Sequence, residues 1–233
     1  MLQIPAPTFM RAVCFFVPLL LAACVSGPRG QFPPDVSMAA AAAPATTLVF
    51  ECGNGYDFVA RTGPGEIALW LEDRYQVLGQ VRSASGSKYQ DGATVFWSKG
   101  TEATLTTNGQ SHSDCRLAPE RVPWEDARRR GVDFRATGNE PGWYLEMQRD
   151  RQILFVADYG MQRVMTPWVD AEVDGESGQR YHALTESSDL RIDIRDQDCA
   201  DTMADMRFSH TVQVRLNGRE LRGCGMWLEH PWE

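Results

Sequence analysis

Two short segments of this 233-residue chain carry side chains that could act on another molecule. They are Ser85-Gly86-Ser87-Lys88-Tyr89 and Trp97-Ser98-Lys99-Gly100-Thr101-Glu102-Ala103. Between them they hold the only two lysines, Lys88 and Lys99, while the other 21 cations are arginine. An ammonium is a compact point charge that can enter a narrow cleft, whereas a guanidinium is a broad planar fork. A serine hydroxyl nearby adds a hydrogen-bond donor. That is chemistry for binding. Groups for turnover are missing, since no Ser-His-Asp order, P-loop or dinucleotide fingerprint occurs. No catalytic residue is assigned, and the chain reads as a non-enzyme. The four histidines are scattered and no C-x-x-C spacing exists, so neither a metal site nor a cofactor is expected.

Those residues need strands to hold them. Ser85-Gly86-Ser87 reads as a tight polar loop, because glycine tolerates positive φ. Further on, Val95 and Trp97 alternate onto one face while Phe96 and Ser98 take the other. Ser98-Lys99-Gly100 then turns into the next strand. Ser85 and Lys99 therefore sit on two loops, which share one end if the flanking strands pair. Other β-prone runs cover 47–50, 58–60, 67–71, 75–78 and 103–107, separated by Gly-rich breaks such as Thr62-Gly63-Pro64-Gly65. In the second half, 143–147, 153–157, 190–194, 211–216 and 220–224 behave likewise. Only Pro123 to Arg130 looks helical, and Ala118 to Pro123 reads as a linker. The fold class expected is mainly β, with two small antiparallel β-barrel-like domains.

The cysteines agree with two halves. Cys14 and Cys24 lie near the N-terminus, leaving Cys52, Cys115, Cys199 and Cys224. Three connectivities are possible, and the spacing favours Cys52–Cys115 and Cys199–Cys224, one disulfide per half. The first 23 residues contain one charge, Arg11, followed by the short apolar run 12–23, which is the pattern of a secretory signal. The stretch Leu21-Ala22-Ala23-Cys24 resembles the bacterial lipobox. That resemblance implies a lipid on Cys24, a membrane anchor and cleavage before it; two or three acyl chains hold a protein almost irreversibly. Val25 rather than Asp follows, which by similarity to enterobacterial sorting favours the outer membrane, facing the periplasm. Residues 24–45, with Pro33-Pro34 and alanines 39–43, read as a flexible tether. The expected domains are thus a signal peptide at 1–23, the lipidated tether at 24–45, a barrel at 46–118 and a second β domain at 119–233.

The two motifs, flanked by Cys52 and Cys115, resemble the MliC/PliC family of bacterial inhibitors of c-type (chicken-type) lysozyme. The motif S-G-x-x-Y is matched by Ser85 to Tyr89, and W-x-K-G-x-x-A by Trp97 to Ala103, over a region from about Thr46 to Leu117. The resemblance implies an eight-stranded antiparallel barrel that inserts a loop into the lysozyme cleft. It implies c-type lysozyme as the protein partner, with Ser85, Gly86, Tyr89, Lys99 and Gly100 as binding residues. Ser85 and Lys99 match the residues that reach the enzyme's catalytic Glu and Asp. Taken as residues alone, Tyr89 and Trp97 are also read as packing that supports the loops, Gly86 and Gly100 as backbone requirements, and Lys88 as a surface charge.

Charge narrows the partner classes. The chain carries 23 Lys+Arg against 31 Asp+Glu, a formal −8, which argues against nucleic acid and against an anionic membrane surface. Most of that acidity lies after residue 118. The second half, with Phe134 to Trp143 and Gly223-Cys224-Gly225, resembles an uncharacterised bacterial envelope lipoprotein domain. Within it, Asn139 to Gly142 reads as a turn, Asp196 and Asp198 as a solvated loop, and Met203 and Met206 as core packing with His210 exposed, rather than as soft-metal ligands. The alternative function is a structural or ligand-binding envelope lipoprotein acting mainly through this half.

Overall fold

The fold is that of a computed structural model, which describes residues 45–175, 178–201 and 206–229. The expected signal peptide, Cys24 and all of the tether but Ala45 lie outside them, as does Met203. The described chain is mainly β and forms two antiparallel sheets, each with one disulfide.

The first sheet is a closed barrel of eight strands in chain order: β1 (Thr47–Glu51), β2 (Asp57–Gly63), β3 (Glu66–Trp70), β4 (Tyr75–Val81), β5 (Ser87–Asp91), β6 (Thr94–Lys99), β7 (Glu102–Thr107) and β8 (Gln110–Leu117). Alternation drives it. Phe50, Phe58, Ala60, Ile67, Leu69, Leu78, Phe96 and Leu105 point inward, their successors outward. Phe50 stacks on Phe58 at 5.3 Å and meets Phe96 edge-on at 5.5 Å. Each such ring contributes about 1.5–3 kcal/mol by leaving water. The Cys52–Cys115 bridge closes a span of 63 residues, for which the loop-closure model gives about 4 kcal/mol.

The expected linker is packed. Ala118 is buried and donates its N–H to the Val49 carbonyl, and a 3₁₀ turn at Pro119–Arg121 leads into α1 (Val122–Arg129). Toward the barrel, Arg121 pairs with Glu51 and Asp57 at 2.9 and 2.7 Å, Thr47 donates to Asp126, and Val122 joins Val49, Val59 and Trp70 in one apolar cluster. Toward the second sheet, Trp124 packs on Phe208 at 4.9 Å. One helix thus packs against both sheets through two apolar clusters outside their cores, because its apolar residues face two ways.

The second sheet adds β9 (Phe134–Asn139), β10 (Gly142–Gln148), β11 (Gln152–Ala157), β12 (Gln162–Pro167), β13 (Val173–Gly175), β14 (Gly178–Leu184), β15 (Asp189–Asp201), β16 (Met206–Leu216) and β17 (Arg219–Trp227). Its order is β12-β11-β10-β9-β17-β16-β15-β14-β13, curled around one core that runs from Phe155 and Leu145 to Ile192 and Tyr181. Asp196 and Asp198 lie in β15, at the bulge between Asp196 and Cys199, rather than in a loop. They are solvated as expected.

The glycines of the second half have a packing reason. Trp143 is paired with Gly138 across β10 and β9, and its indole spreads over both Gly138 and Gly223. A Cβ at Gly138 would collide with the indole nitrogen; one at Gly223 would stand 2.7 Å from the ring. Arg135 is held the same way on the outer face, between the Trp124 and Tyr144 rings at 5.4 and 4.9 Å, with Glu146 as its ion-pair partner.

Gly138→Ala therefore overpacks the second core, and we expect a loss of about 1–3 kcal/mol in the denaturant midpoint with an unchanged slope. Gly79→Ala, where a Cβ meets nothing within 4 Å, should leave the midpoint in place.

Candidate functional site

The pairing of β5 with β6 builds the rim. Ser87 lies opposite Ser98, Lys88 opposite Trp97 and Tyr89 opposite Phe96. The loop before β5 and the turn after β6 therefore emerge at one end, as the spacing predicts. Gly86, at φ +66, lies on the backbone of the other loop: a Cβ there would collide with the Ser98 carbonyl oxygen and stand 3.3 Å from the Lys99 Cβ. Only glycine satisfies both the left-handed backbone and the close approach.

Two hydrogen bonds fix the loop. The Trp97 indole N–H donates to the Ser85 carbonyl at 2.9 Å, and the Ser83 hydroxyl donates to the Gly86 carbonyl at 2.9 Å. On the facing side, Lys99 pairs with Glu102 across a two-residue turn, Gly100-Thr101, with Gly100 at φ +62 in its first position. That is the placement a type II′ hairpin requires. The Thr101 carbonyl accepts from the Leu117 N–H at 2.9 Å, tying this turn to β8.

What the rim presents is polar and unspent. Ser85, Lys99 and Gly100 are exposed. Among the described residues, neither the Ser85 hydroxyl nor the Lys99 ammonium has a hydrogen-bond or ion-pair partner. Tyr89 lies elsewhere. It is 8% exposed and packs 6.1 Å from Phe96 inside the barrel, so it supports β5 from within. Lys88, half-buried, faces the same side as Trp97, and Lys99 follows two residues along β6. The chain's two lysines thus flank one exposed indole. Among the described residues no cluster of His, Cys, Asp or Glu is arranged to hold a metal ion, and no helix is long and apolar enough to cross a membrane.

Two features escaped the sequence. The Trp97-to-Ser85 bond is invisible to alternation, which only places Trp97 on a face. The other is the bulge in β8, where His112 and Cys115 are both buried although three residues apart, which breaks the period of two.

Known proteins share this barrel's sequence. Residues 50–114 match the model of the family described as membrane-bound lysozyme inhibitor of c-type lysozyme. A Yersinia enterocolitica protein named membrane-bound lysozyme inhibitor of C-type lysozyme is 37% identical over 73 residues, 30% of this chain and 62% of that protein. An Escherichia coli K12 protein of the same name is 40% identical over 60 residues, 25% of this chain and 55% of its own length. The chain thus spans less than two thirds of the length of the curated relatives it matches. No solved structure matches it.

Trp97→Phe keeps an aromatic ring and deletes the donor to Ser85. We expect faster amide exchange for residues 83–86, by the equivalent of about 0.5–1.5 kcal/mol, with protection of the Phe96 amide unchanged.

Proposed function

We propose that this chain is an inhibitor of c-type lysozyme, held on the bacterial envelope by a lipid on Cys24 and acting through the Ser85–Lys99 rim. The observation that carries the reading is an exposed hydroxyl and an exposed ammonium, both without a partner among the described residues, on two loops locked together at Gly86. The match of residues 50–114 to the inhibitor family supports it.

The target's chemistry explains why such a rim would inhibit. A retaining glycosidase needs one protonated carboxyl as acid and one ionised carboxylate as nucleophile or stabiliser. An ammonium between them favours the ionised form of both and so lowers the pKa of the acid. The Lys99 ammonium supplies that charge, the Ser85 hydroxyl donates to a carboxylate oxygen, and the loop displaces the sugar. Tyr89 supports the loop from inside, Gly86 lets the two loops come close, and Gly100 takes the positive φ of the turn. Inhibition is then a binding event.

Ser85→Ala and Lys99→Ala in the soluble chain from Val25 onward should each weaken inhibition roughly 5- to 10-fold, about 1 kcal/mol or more, in a cell-wall turbidity assay. Unchanged potency in both variants overturns the reading. Separately, Cys24→Ser should move the protein from the membrane pellet to the soluble fraction of fractionated cells.

A further inference from the structure

A groove runs along the outside of the barrel beside Lys99, lined by Trp97, Lys99, Glu102, Thr104, Asp114 and Arg116. Two features of the chain make it. In β8 the register against β7 shifts between Ala103 and Leu105, Asp114 takes φ +54, and Ser113 and Asp114 both face solvent. Such a bulge bends the strand and re-aims its side chains. On the opposite wall Trp97 is 43% exposed, with its N–H spent on Ser85 and its ring face left open.

The charges of the groove are not satisfied internally. Glu102 lies between Lys99 and Arg116 in register, yet among the described residues it forms an ion pair with neither. The Asp114 carboxylate accepts from the Ser113 hydroxyl at 3.2 Å, which leaves most of its lone pairs open. An exposed indole on one wall and open carboxylates on the floor and far wall are the partners of a guanidinium. Its plane stacks on the ring and its fork donates to the carboxylates. An apolar side chain seated there would strand both carboxylates without compensation. Among the described residues neither cation of the lining, Lys99 or Arg116, forms an ion pair or a hydrogen bond with these two carboxylates, so both stay open to a further donor.

We propose that this groove receives an arginine side chain from the border of the cleft that Ser85 and Lys99 engage, an inference that rests on the inhibitor reading. The rim would then present a positive group to an acidic cleft and, one strand over, negative groups to the cation beside it. Such alternation fixes register as well as affinity.

The test measures the dissociation constant of the soluble chain from Val25 onward with chicken-type lysozyme, at low and at high salt. Glu102→Gln is isosteric, and Asp114→Asn keeps a residue that tolerates positive φ, so both should melt as the parent does. We expect each to weaken binding about 5- to 20-fold at low salt and to flatten the salt dependence. Lysozyme treated with an arginine-specific reagent should bind the parent more weakly, yet bind the double variant no differently from untreated enzyme. If Glu102→Gln and Asp114→Asn change nothing while Ser85→Ala and Lys99→Ala weaken binding, the groove proposal falls and the inhibitor reading stands. If none of the four matters, the inhibitor reading falls with it.

Discussion

Gly86 touches the backbone of Ser98 and Lys99, and that contact exists because residue 86 has no side chain. Remove the freedom to adopt φ +66, or add one carbon, and the β4–β5 loop must lift away from the β6–β7 turn. The rest of the rim depends on it. Trp97 reaches the Ser85 carbonyl only while the loop lies flat, and the Ser85 and Lys99 side chains share one end only while the two turns stay in contact. The closed barrel supplies the stiffness behind this, since every strand has two neighbours and no edge is left to fray.

The second half is coupled to that barrel through α1 rather than through a free connection. Val49 and Thr47 face outward from β1, where a solitary barrel would expose them; here Val122 and Asp126 cover them. The opposite face of the same short helix inserts Trp124 between Phe208 and the Arg135 guanidinium. Truncating either sheet would therefore leave apolar surface of the other in water. Ion pairs such as Arg121 with Glu51 and Asp57 add geometry more than energy, because exposed pairs are typically worth less than about 1 kcal/mol.

Much of the barrel was legible because its inward residues are large and alternate cleanly, as in Phe58-Val59-Ala60 and Ile67-Ala68-Leu69. Strands β5 and β8 were not. Ser87-Lys88-Tyr89-Gln90-Asp91 has one apolar inward residue, and Gln110 to Leu117 is almost wholly polar, so their state is set by neighbours on both sides rather than by propensity. In the second half β9, β12, β13 and β14 were missed for a related reason: their alternation is shared with glycine, threonine and glutamine. The length of β15, thirteen residues, was hidden by the acids around its bulge. For the site, loop positions followed from spacing and glycine chemistry, whereas the groove beside Lys99 depends on a left-handed Asp114 that no pattern announces.

The concentration of side-chain amines has a practical consequence. With arginine used everywhere else, Lys88 and Lys99 are the only side-chain amines an acylating reagent can modify, and both stand beside Trp97. Coupling the folded chain to a bead or a dye through lysine would thus attach it by the face proposed to bind. A tag placed on a cysteine introduced elsewhere on the surface would leave that face open.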